Sequence, residues 1–140
     1  MINNLLMIVI AVSTMMFADL NRDNNTVRDD STYLVWQDDE DAASNILTWE
    51  NANSYCHNLG LDGYRDWRLP VKQELLSIVD KSRHKPSIDP IFQNVSIAHY
   101  WVAYSSGRNP RYVWYVDFRD GYSSLDDKNH IHNVRCVHSY

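Results

Sequence analysis

The sequence of 140 residues has room for one domain with one hydrophobic core, and its 44% apolar and 22% charged residues are ordinary for a globular chain. The net charge of −5 argues against general nucleic-acid binding. The charge is uneven, since residues 19–63 carry ten acids and two bases, whereas residues 64–140 carry eleven bases and eight acids. The second half therefore leaves room for a local anion-binding face.

The first 18 residues predict a secretory signal peptide. They contain no charged side chain, and an apolar run from Leu5 to Val12 precedes small residues that lead to a cleavage position after Ala18. The run is too short for a membrane-spanning helix. The lack of Lys or Arg before the run and the bulky Met16 leave an uncleaved anchor and a misassigned start codon as alternatives. We expect export to the periplasm, the cell surface or the medium.

Residues 19–31 are polar and rich in Asn and Asp, which predicts a flexible leader before a domain at residues 32–140. Within that domain, the Tyr-Leu-Val-Trp run at 33–36 predicts a first strand. The four consecutive acids at 38–41 are typical of a solvated loop. A calcium site of the EF-hand type would need alternating acids around a central Gly, which this run lacks.

Two helices are predicted next. Thr48 is a favourable N-cap for the first helix, and Gly60 is expected as its left-handed C-cap. The second helix follows Pro70, which suits a first helical turn, and is expected to end near Asp80. The apolar faces expected to be buried are Trp49, Ala52, Tyr55, Cys56 and Leu59 in the first helix, and Leu75, Ile78 and Val79 in the second.

From Tyr100 onward the pattern changes to strands. Residues 112–118 alternate with a period of two, Asp120-Gly121 is a hairpin signal, and residues 134–137 predict a last strand. The order of one strand, two helices and several strands predicts an α+β fold in which the first and last strands pair.

Cys56 and Cys136 are the two cysteines of the sequence. In an oxidising compartment an even count suggests one disulfide, and the alternative is a pair of buried free thiols. The disulfide would close a loop of about 80 residues, to which the chain-entropy treatment assigns about 4.5 kcal/mol. The spacing excludes a Cys-x-x-Cys redox motif.

Motifs for catalysis and metal binding are weak or absent. His130 and His132 are spaced to share one face of an extended segment, with His99 or His138 as a third ligand, but exposed loop histidines are the favoured interpretation. No G-x-S-x-G motif, phosphate loop or H-E-x-x-H motif occurs. We therefore expect no enzyme, no cofactor and no metal.

Eight short motifs occur in an order that is specific when they are taken together. They are Leu34-Val35-Trp36-Gln37-Asp38-Asp39, Thr48-Trp49-x-x-Ala52, Tyr55-Cys56, Gly63-Tyr64-Arg65-Asp66-Trp67-Arg68-Leu69-Pro70, Glu74-Leu75, Tyr100-Trp101, Trp114-x-Val116-x-Phe118-x-x-Gly121 and Val134-Arg135-Cys136-Val137. Over residues 33–138 this order resembles the Lcl C-terminal domain family, named after the C-terminal domain of the Legionella collagen-like adhesin. Both cysteines stand in the matching places.

The resemblance implies a single C-type-lectin-like domain, secreted or surface-exposed, with the two cysteines as its structural disulfide. In the adhesin the domain is associated with sulfated glycans and adhesion. The fold is similar to that of formylglycine-generating enzymes, which need reactive cysteines beyond such a pair. The motif Asp66, Trp67, Arg68, Leu69 and Pro70 is expected to be structural, with Trp67 filling the core while Asp66 and Arg68 brace loops by charge-assisted hydrogen bonds; the alternative is ligand binding.

Two positions depart from the family pattern. Val71 stands where the family has Thr or Asn, so the capping box with Glu74 is expected to be lost, at about 0.5–2 kcal/mol. Val102-Ala103 replaces Ser-Ser after Tyr-Trp, which puts the local loop geometry in question.

The loops between residues 101 and 128 are the candidate ligand site, by analogy with the long-loop region of C-type-lectin-like folds. Aromatic rings stack on sugar faces, and guanidinium groups bind sulfate or carboxylate in a bidentate manner. The candidate residues are Trp101, Tyr104, Arg108, Asn109, Arg111, Tyr122 and Lys128. The alternative is a solvated loop with scattered bases, and calcium-lectin signatures are absent.

These observations predict a non-enzymatic exported module that binds a glycan, an anionic polysaccharide or a surface protein in adhesion. One alternative is a structural or protein-interaction subunit of an envelope or appendage complex, and another is a degenerate relative of formylglycine-generating enzymes. We expect no binding to nucleic acid, and no membrane insertion once the signal peptide has been cleaved. The oligomeric state is left open.

Overall fold

Two β-sheets and three short helices form an α+β domain in the computed structural model, which describes residues 19–140. The expected signal peptide lies outside the described residues. The helices are α1 (Glu40–Ser44), α2 (Trp49–Asn58) and α3 (Lys72–Ser77). The strands are β1 (Leu20–Asp23), β2 (Thr26–Asp29), β3 (Leu34–Gln37), β4 (Ile46–Leu47), β5 (His99–Ser105), β6 (Tyr112–Asp117), β7 (Ser123–Asp127), β8 (His132–Asn133) and β9 (Val137–Ser139).

The first sheet is antiparallel and has the strand order β1-β2-β3-β9. In it Leu34 lies opposite Ser139 and Trp36 lies opposite Val137. The sequence predicts that the strand at residues 33–36 pairs with the last strand, and the pairing of β3 with β9 confirms this. This pairing brings the two ends of the domain into one sheet.

The second sheet has the strand order β4-β8-β5-β6-β7. Its pairs are antiparallel except β5 and β8, which run parallel where Tyr100 lies opposite Asn133. The predicted hairpin at Asp120-Gly121 joins β6 to β7. Gly121 has φ +84, and a Cβ atom there would collide with the Val79 side chain, so this turn requires glycine.

Two clusters of buried side chains fill the interior. One packs β2, β3 and β6 against α3 through residues such as Trp36, Leu75 and Phe118. The other holds α2 against β5 and the chain before β9, with Ala52 and Cys56 buried as predicted. The other predicted residues of the first helical face, Trp49, Tyr55 and Leu59, are partly buried against the same cluster.

The predicted disulfide joins Cys56 of α2 to Cys136, one residue before β9. The two Cα atoms are 5.5 Å apart, and both residues are buried. Helix α2 is thereby fixed covalently to the strand that closes the first sheet.

The expectation of a flexible leader over residues 19–31 is corrected. The segment contains the β1–β2 hairpin, whose turn includes Asn24 at φ +48, and whose Val27 is completely buried. Asp29, also buried, accepts hydrogen bonds from the amide and hydroxyl of Ser31. The polar composition is compatible with a strand because β1 is an edge strand of the sheet.

Element ends differ from the predictions in three places. Helix α2 ends at Asn58 with Leu59 as an extended C-cap, and the left-handed residues are Asp62 and Gly63 rather than Gly60. Helix α3 ends at Ser77, before the predicted end near Asp80. The last strand begins only at Val137, because residues 134–136 are buried but lie outside the ladder.

Candidate functional site

Trp101 is a core residue and not a ligand contact. Its side chain is completely buried, and its indole N–H donates to the carbonyl oxygen of Leu47 at 2.8 Å. The neighbouring Trp49 indole donates to the carbonyl oxygen of Val102 at 2.9 Å. These bonds tie β5 to β4 and to the start of α2. Val102-Ala103 lies within β5 rather than in an exposed loop, and the pairing of β5 with β6 is irregular between Trp101 and Ser105.

Five of the predicted ligand residues form a group that we call the loop face: Tyr104, Arg108, Asn109, Arg111 and Lys128. The group lies where β5 ends, β6 begins and β7 ends, and the Lys128 amide donates to the Arg111 carbonyl oxygen at 2.9 Å. Its positive charge is partly neutralised by nearby acids. Arg111 pairs with Asp127 at 2.8 Å, and Lys128 pairs with Glu50 at 3.5 Å.

Tyr122 lies at the opposite end of β6 and does not join the loop face. The six residues of β6 separate the two groups by about 17 Å at the usual rise per residue. Tyr122 is 64% exposed, and the Lys81 ammonium lies over its ring, 4.9 Å from the ring centroid.

Around Tyr122 the fold brings together cations that lie far apart in the sequence. The amide of Lys85 donates to the carbonyl oxygen of Arg119 at 2.9 Å, which places the Lys81–Lys85 loop beside the β6–β7 turn. We call this group the basic patch; it consists of Lys81, Arg83, Lys85, Arg119 and Tyr122, all exposed. The signal that predicts it is the Lys-Ser-Arg-His-Lys run at 81–85, three bases in five residues.

The cations of the basic patch are less neutralised than those of the loop face. Among residues 19–140, none of its four basic side chains forms an ion pair. Asp80 and Asp120 lie nearby and reduce the local positive charge. Hydrogen bonds from the hydroxyl and amide of Ser82, aided by the charge of Arg83, lower the pKa of Asp80.

The run of acids at 38–41 is not a solvated loop, because Asp38 is completely buried. Its carboxylate accepts from the buried Arg135 at 3.0 Å and from the backbone amides of Gln93 and Asn94, and it also pairs with Arg22. The next acid, Asp39, is the N-cap of α1. This network is structural, since Asp38 and Arg135 are both shielded from solvent.

Within the Asp66–Pro70 motif, Trp67 and Arg68 have the structural roles expected of them. Trp67 is 1% exposed and belongs to the core. Arg68 donates to both carboxylate oxygens of Glu74, at 2.7 and 2.8 Å. Asp66 is exposed at φ +60, so its contribution is a left-handed backbone rather than the expected side-chain brace.

Half of the capping box at α3 is present, which corrects the expectation of its loss. Val71 has no side-chain acceptor, but the Glu74 carboxylate accepts from the Val71 amide at 2.9 Å. Burial acts to raise the pKa of Glu74, but the bonds from Arg68 and the Val71 amide outweigh it, and the pKa is lowered.

Three histidines meet near Asp126. The Asp126 carboxylate bonds His130 at 2.9 Å and His132 at 2.6 Å, and the ring of His99 lies 5.0 Å from that of His132. His138 packs elsewhere, beside Tyr64. Within the described part of the chain, no three His, Cys, Asp or Glu side chains are grouped so as to hold a metal ion.

A family model for the Lcl C-terminal domain matches residues 25–138. The chain belongs to the Lcl C-terminal domain family. The match runs from the turn of the β1–β2 hairpin into β9, and it therefore includes both cysteines and the Asp66–Pro70 motif. No curated protein matches the sequence.

The Lcl C-terminal domain family is associated with adhesins and suggests surface exposure. Between residues 19 and 140 of this Lcl C-terminal domain, no helix combines the length and apolar character needed to cross a membrane. The basic patch and the loop face lie at opposite ends of β6, so they are separate candidate surfaces of one domain.

Proposed function

We propose that this Lcl C-terminal domain is a non-enzymatic, exported binding module that holds an acidic polysaccharide on the basic patch. The observation that carries the proposal is that Lys81, Arg83, Lys85 and Arg119 lie together, exposed and without ion-pair partners among residues 19–140. Guanidinium and ammonium groups that are not already paired are free to bind sulfate or carboxylate groups.

The exposed Tyr122 adds a surface suited to a sugar ring. Aromatic rings contribute apolar contact area, and the neighbouring Lys81 supplies charge at the same position. The loop face is a weaker candidate, because Arg111 and Lys128 must first give up their contacts with Asp127 and Glu50. Its Tyr104 hydroxyl is also engaged, by the side chain of Gln73 at 3.1 Å.

Matched charge removal at the two surfaces tests the proposal. One variant carries Arg83→Ser, Lys85→Ser and Arg119→Ser, and the other carries Arg108→Ser, Arg111→Ser and Lys128→Ser. Binding to immobilised heparin and to polygalacturonate is measured at low salt. An exposed ion pair is worth about 1 kcal/mol at contact, so we expect the first variant to lose roughly 100-fold in affinity.

The second variant is expected to bind nearly as the unmodified protein does, and binding of both should fall as salt rises. If the second variant loses binding and the first keeps it, the ligand site is the loop face. If the unmodified protein binds neither polymer at low salt, the acidic-polysaccharide proposal is wrong.

A protein-interaction role is the second candidate function. It is favoured by the exposed aromatic pair of Tyr33 and Tyr140, which are 63% and 51% exposed with ring centroids 5.9 Å apart. Exposed aromatic residues are enriched in protein interfaces. Cross-linking in intact cells that captures one stoichiometric protein partner through this pair would support an envelope or appendage subunit instead.

The proposal of a non-enzymatic role is supported by the state of the cysteines. The sequence has two, and both are consumed in the Cys56–Cys136 disulfide, so no thiol is left for an oxidase of the formylglycine-generating type. Two reactive thiols in the exported protein would restore the enzyme hypothesis.

We also propose that the domain is C-type-lectin-like and that residues 1–18 are removed on export. Support comes from the pairing of β3 with β9 and from the disulfide beside that pair, which an oxidising compartment favours. N-terminal sequencing of native protein should begin at Asp19. An intact first residue would contradict cleavage.

A further inference from the structure

We propose a second binding site, a polar cleft around Tyr64 that takes an uncharged, hydroxyl-rich ligand of two small rings, such as a neutral disaccharide. Two cavities, of about 240 and 280 Å³, meet at this tyrosine. The first lies between Tyr64 and the polar face of the β1–β2 hairpin, and the second lies over residues 60–65. The cleft contains no residue of the basic patch or the loop face.

The walls of the cleft are held in place before any ligand arrives. Backbone hydrogen bonds close the turn in both directions between Leu61 and Tyr64, at 3.2 and 2.9 Å. The Asp62 carboxylate accepts from the Asn25 amide at 2.9 Å, which ties the turn to the hairpin. The Tyr64 ring rests against His138 and meets the edge of Trp67. A preformed site binds without the cost of ordering a loop.

The charges in the cleft point to an uncharged ligand. Each cavity is lined by groups of both signs. The first has Asp23 with Arg28, together with Arg22, whose charge is paired with the buried Asp38, and the second has Asp62 with Arg65. A hydroxyl group both donates and accepts hydrogen bonds, so it can bind to acidic and basic side chains alike. An anion or a cation, in contrast, meets a side chain of its own charge in each cavity and is repelled by it.

Free hydrogen-bonding capacity is present at the lining residues. Arg28 donates hydrogen bonds to the Asp30 carboxylate through Nε and Nη2, which leaves Nη1 able to donate to a ligand. Asp23 and Arg65 are exposed. The aromatic ring of Tyr64 stands between the two polar sets, an arrangement that suits the apolar faces and polar rims of sugar rings.

The size of the cavities sets the size of the ligand. Sites that enclose drug-sized molecules usually hold about 300–1,000 Å³, and each cavity here falls below that range. One small ring per cavity, joined across Tyr64, fits both volumes.

Amide chemical-shift mapping of the oxidised full chain tests the cleft. The probes are cellobiose, lactose, maltose and the β1,4-linked disaccharide of N-acetylglucosamine. We expect at least one of them to shift the amides of Asp23, Asp62, Tyr64 and Arg65, with a Kd that does not change with salt. If no probe shifts these amides, or if glucuronic acid, added as a charged probe, shifts them in a salt-dependent way while the neutral probes do not, the inference is overturned.

Exposed-residue variants separate ligand contact from folding. Asp23→Ala and Arg65→Ala each remove one hydrogen-bonding group and should weaken binding roughly 2- to 10-fold, whereas Glu40→Ala, an exposed acid on α1, should leave it unchanged. Tyr64→Phe keeps the ring and should bind more tightly than Tyr64→Ala. Equal affinity for all of these variants would contradict the assignment.

Heparin binding by the same variants keeps this result separate from the polysaccharide proposal. Cleft variants should retain salt-sensitive heparin binding, because the basic patch is unchanged in them. Loss of heparin binding with intact disaccharide binding would instead overturn only the function proposed for the patch.

Discussion

At the scale of single residues, Asp38 and Arg135 form a buried ion pair in the interior of the domain. Both side chains are completely buried, and Arg135 also donates to the carbonyl oxygens of Gln37 and Asn94 at 2.5 Å each. Two such charges are tolerable only because each is paired and hydrogen-bonded. The pair joins the end of β3 to the chain before β9.

Arg135→Met should lower the free energy of unfolding by up to about 3–5 kcal/mol, because it leaves the buried Asp38 carboxylate with Arg22 as its remaining ion-pair partner and removes the donor to the carbonyl oxygens of Gln37 and Asn94. Urea unfolding at neutral pH measures the loss. The control is Arg28→Met, which removes an exposed guanidinium paired with Asp30 and should leave the urea midpoint nearly unchanged. Similar losses in the two variants would contradict the structural role of the buried pair.

His132 makes the free energy of unfolding depend on pH in the mildly acidic range. Its half-buried position and the nearby charge of His99 lower its pKa below the usual 6.5, against the opposing effect of Asp126. Because the folded state binds this proton more weakly than the unfolded state, the contribution is present above the unfolded pKa and is lost as the pH falls through the folded pKa.

His132→Phe should therefore flatten the stability profile below about pH 6.5 relative to the unmodified protein. Urea midpoints at intervals from pH 7 downward provide the measurement, and His57→Phe is the control, because His57 is exposed on α2. A profile with the same slope in the His132 variant and the unmodified protein would show that another group is responsible.

Residue types alone did not separate core from surface in this chain. Trp101 was predicted as a ligand contact because aromatic rings serve both cores and interfaces, and only the bond to Leu47 shows which role applies. Asp38 carried no local signal of burial, since its partner Arg135 is 97 positions away. Long-range ion pairs of this kind are not encoded in a local pattern.

Among the elements, those with a strong period were predicted well. The face of α2 containing Ala52 and Cys56 follows from helical spacing, and the β6–β7 hairpin follows from its alternation and Asp-Gly turn. The β1–β2 hairpin was missed because its edge strand is polar and because Val27 is the one apolar residue among the three that β2 buries. The basic patch was missed because its two halves meet only through the fold.

Helix α3 has an incomplete N-terminus that a single substitution should repair. Val71 occupies the N-cap with φ −73 and ψ 160, a conformation in which a Thr hydroxyl can accept from the Glu74 amide. We expect Val71→Thr to raise the free energy of unfolding by about 1 kcal/mol. Thermal unfolding measures the gain.

The matched control is Val79→Thr, which makes the same chemical change beside the core and outside a cap. It should be neutral or destabilising, because it places a hydroxyl against apolar neighbours. If Val71→Thr is no more stable than Val79→Thr, the missing hydroxyl is not the defect of this helix.

For the whole molecule, one covalent bond encloses the segment that carries every strand of the second sheet except β4. The Cys56–Cys136 disulfide has a sequence separation of 80, and β5, β6, β7 and β8 all lie between the two cysteines, as do the basic patch and the loop face. The first sheet, in contrast, is built mainly from residues outside this loop. In the unfolded chain the bond therefore shortens the path between β3 and β9, whose pairing, such as Leu34 with Ser139, is the least local in the described residues.

Replacing both cysteines by alanine should lower the free energy of unfolding by up to about 4.5 kcal/mol, the chain-entropy value for a loop of this length. The loss should arise mostly in the unfolded state, so variant molecules that remain folded should keep the amide shifts of the patch and the cleft. Urea unfolding and amide spectra measure the two quantities. A small loss of stability with altered shifts would mean that the bond instead shapes the native packing of α2 against β5.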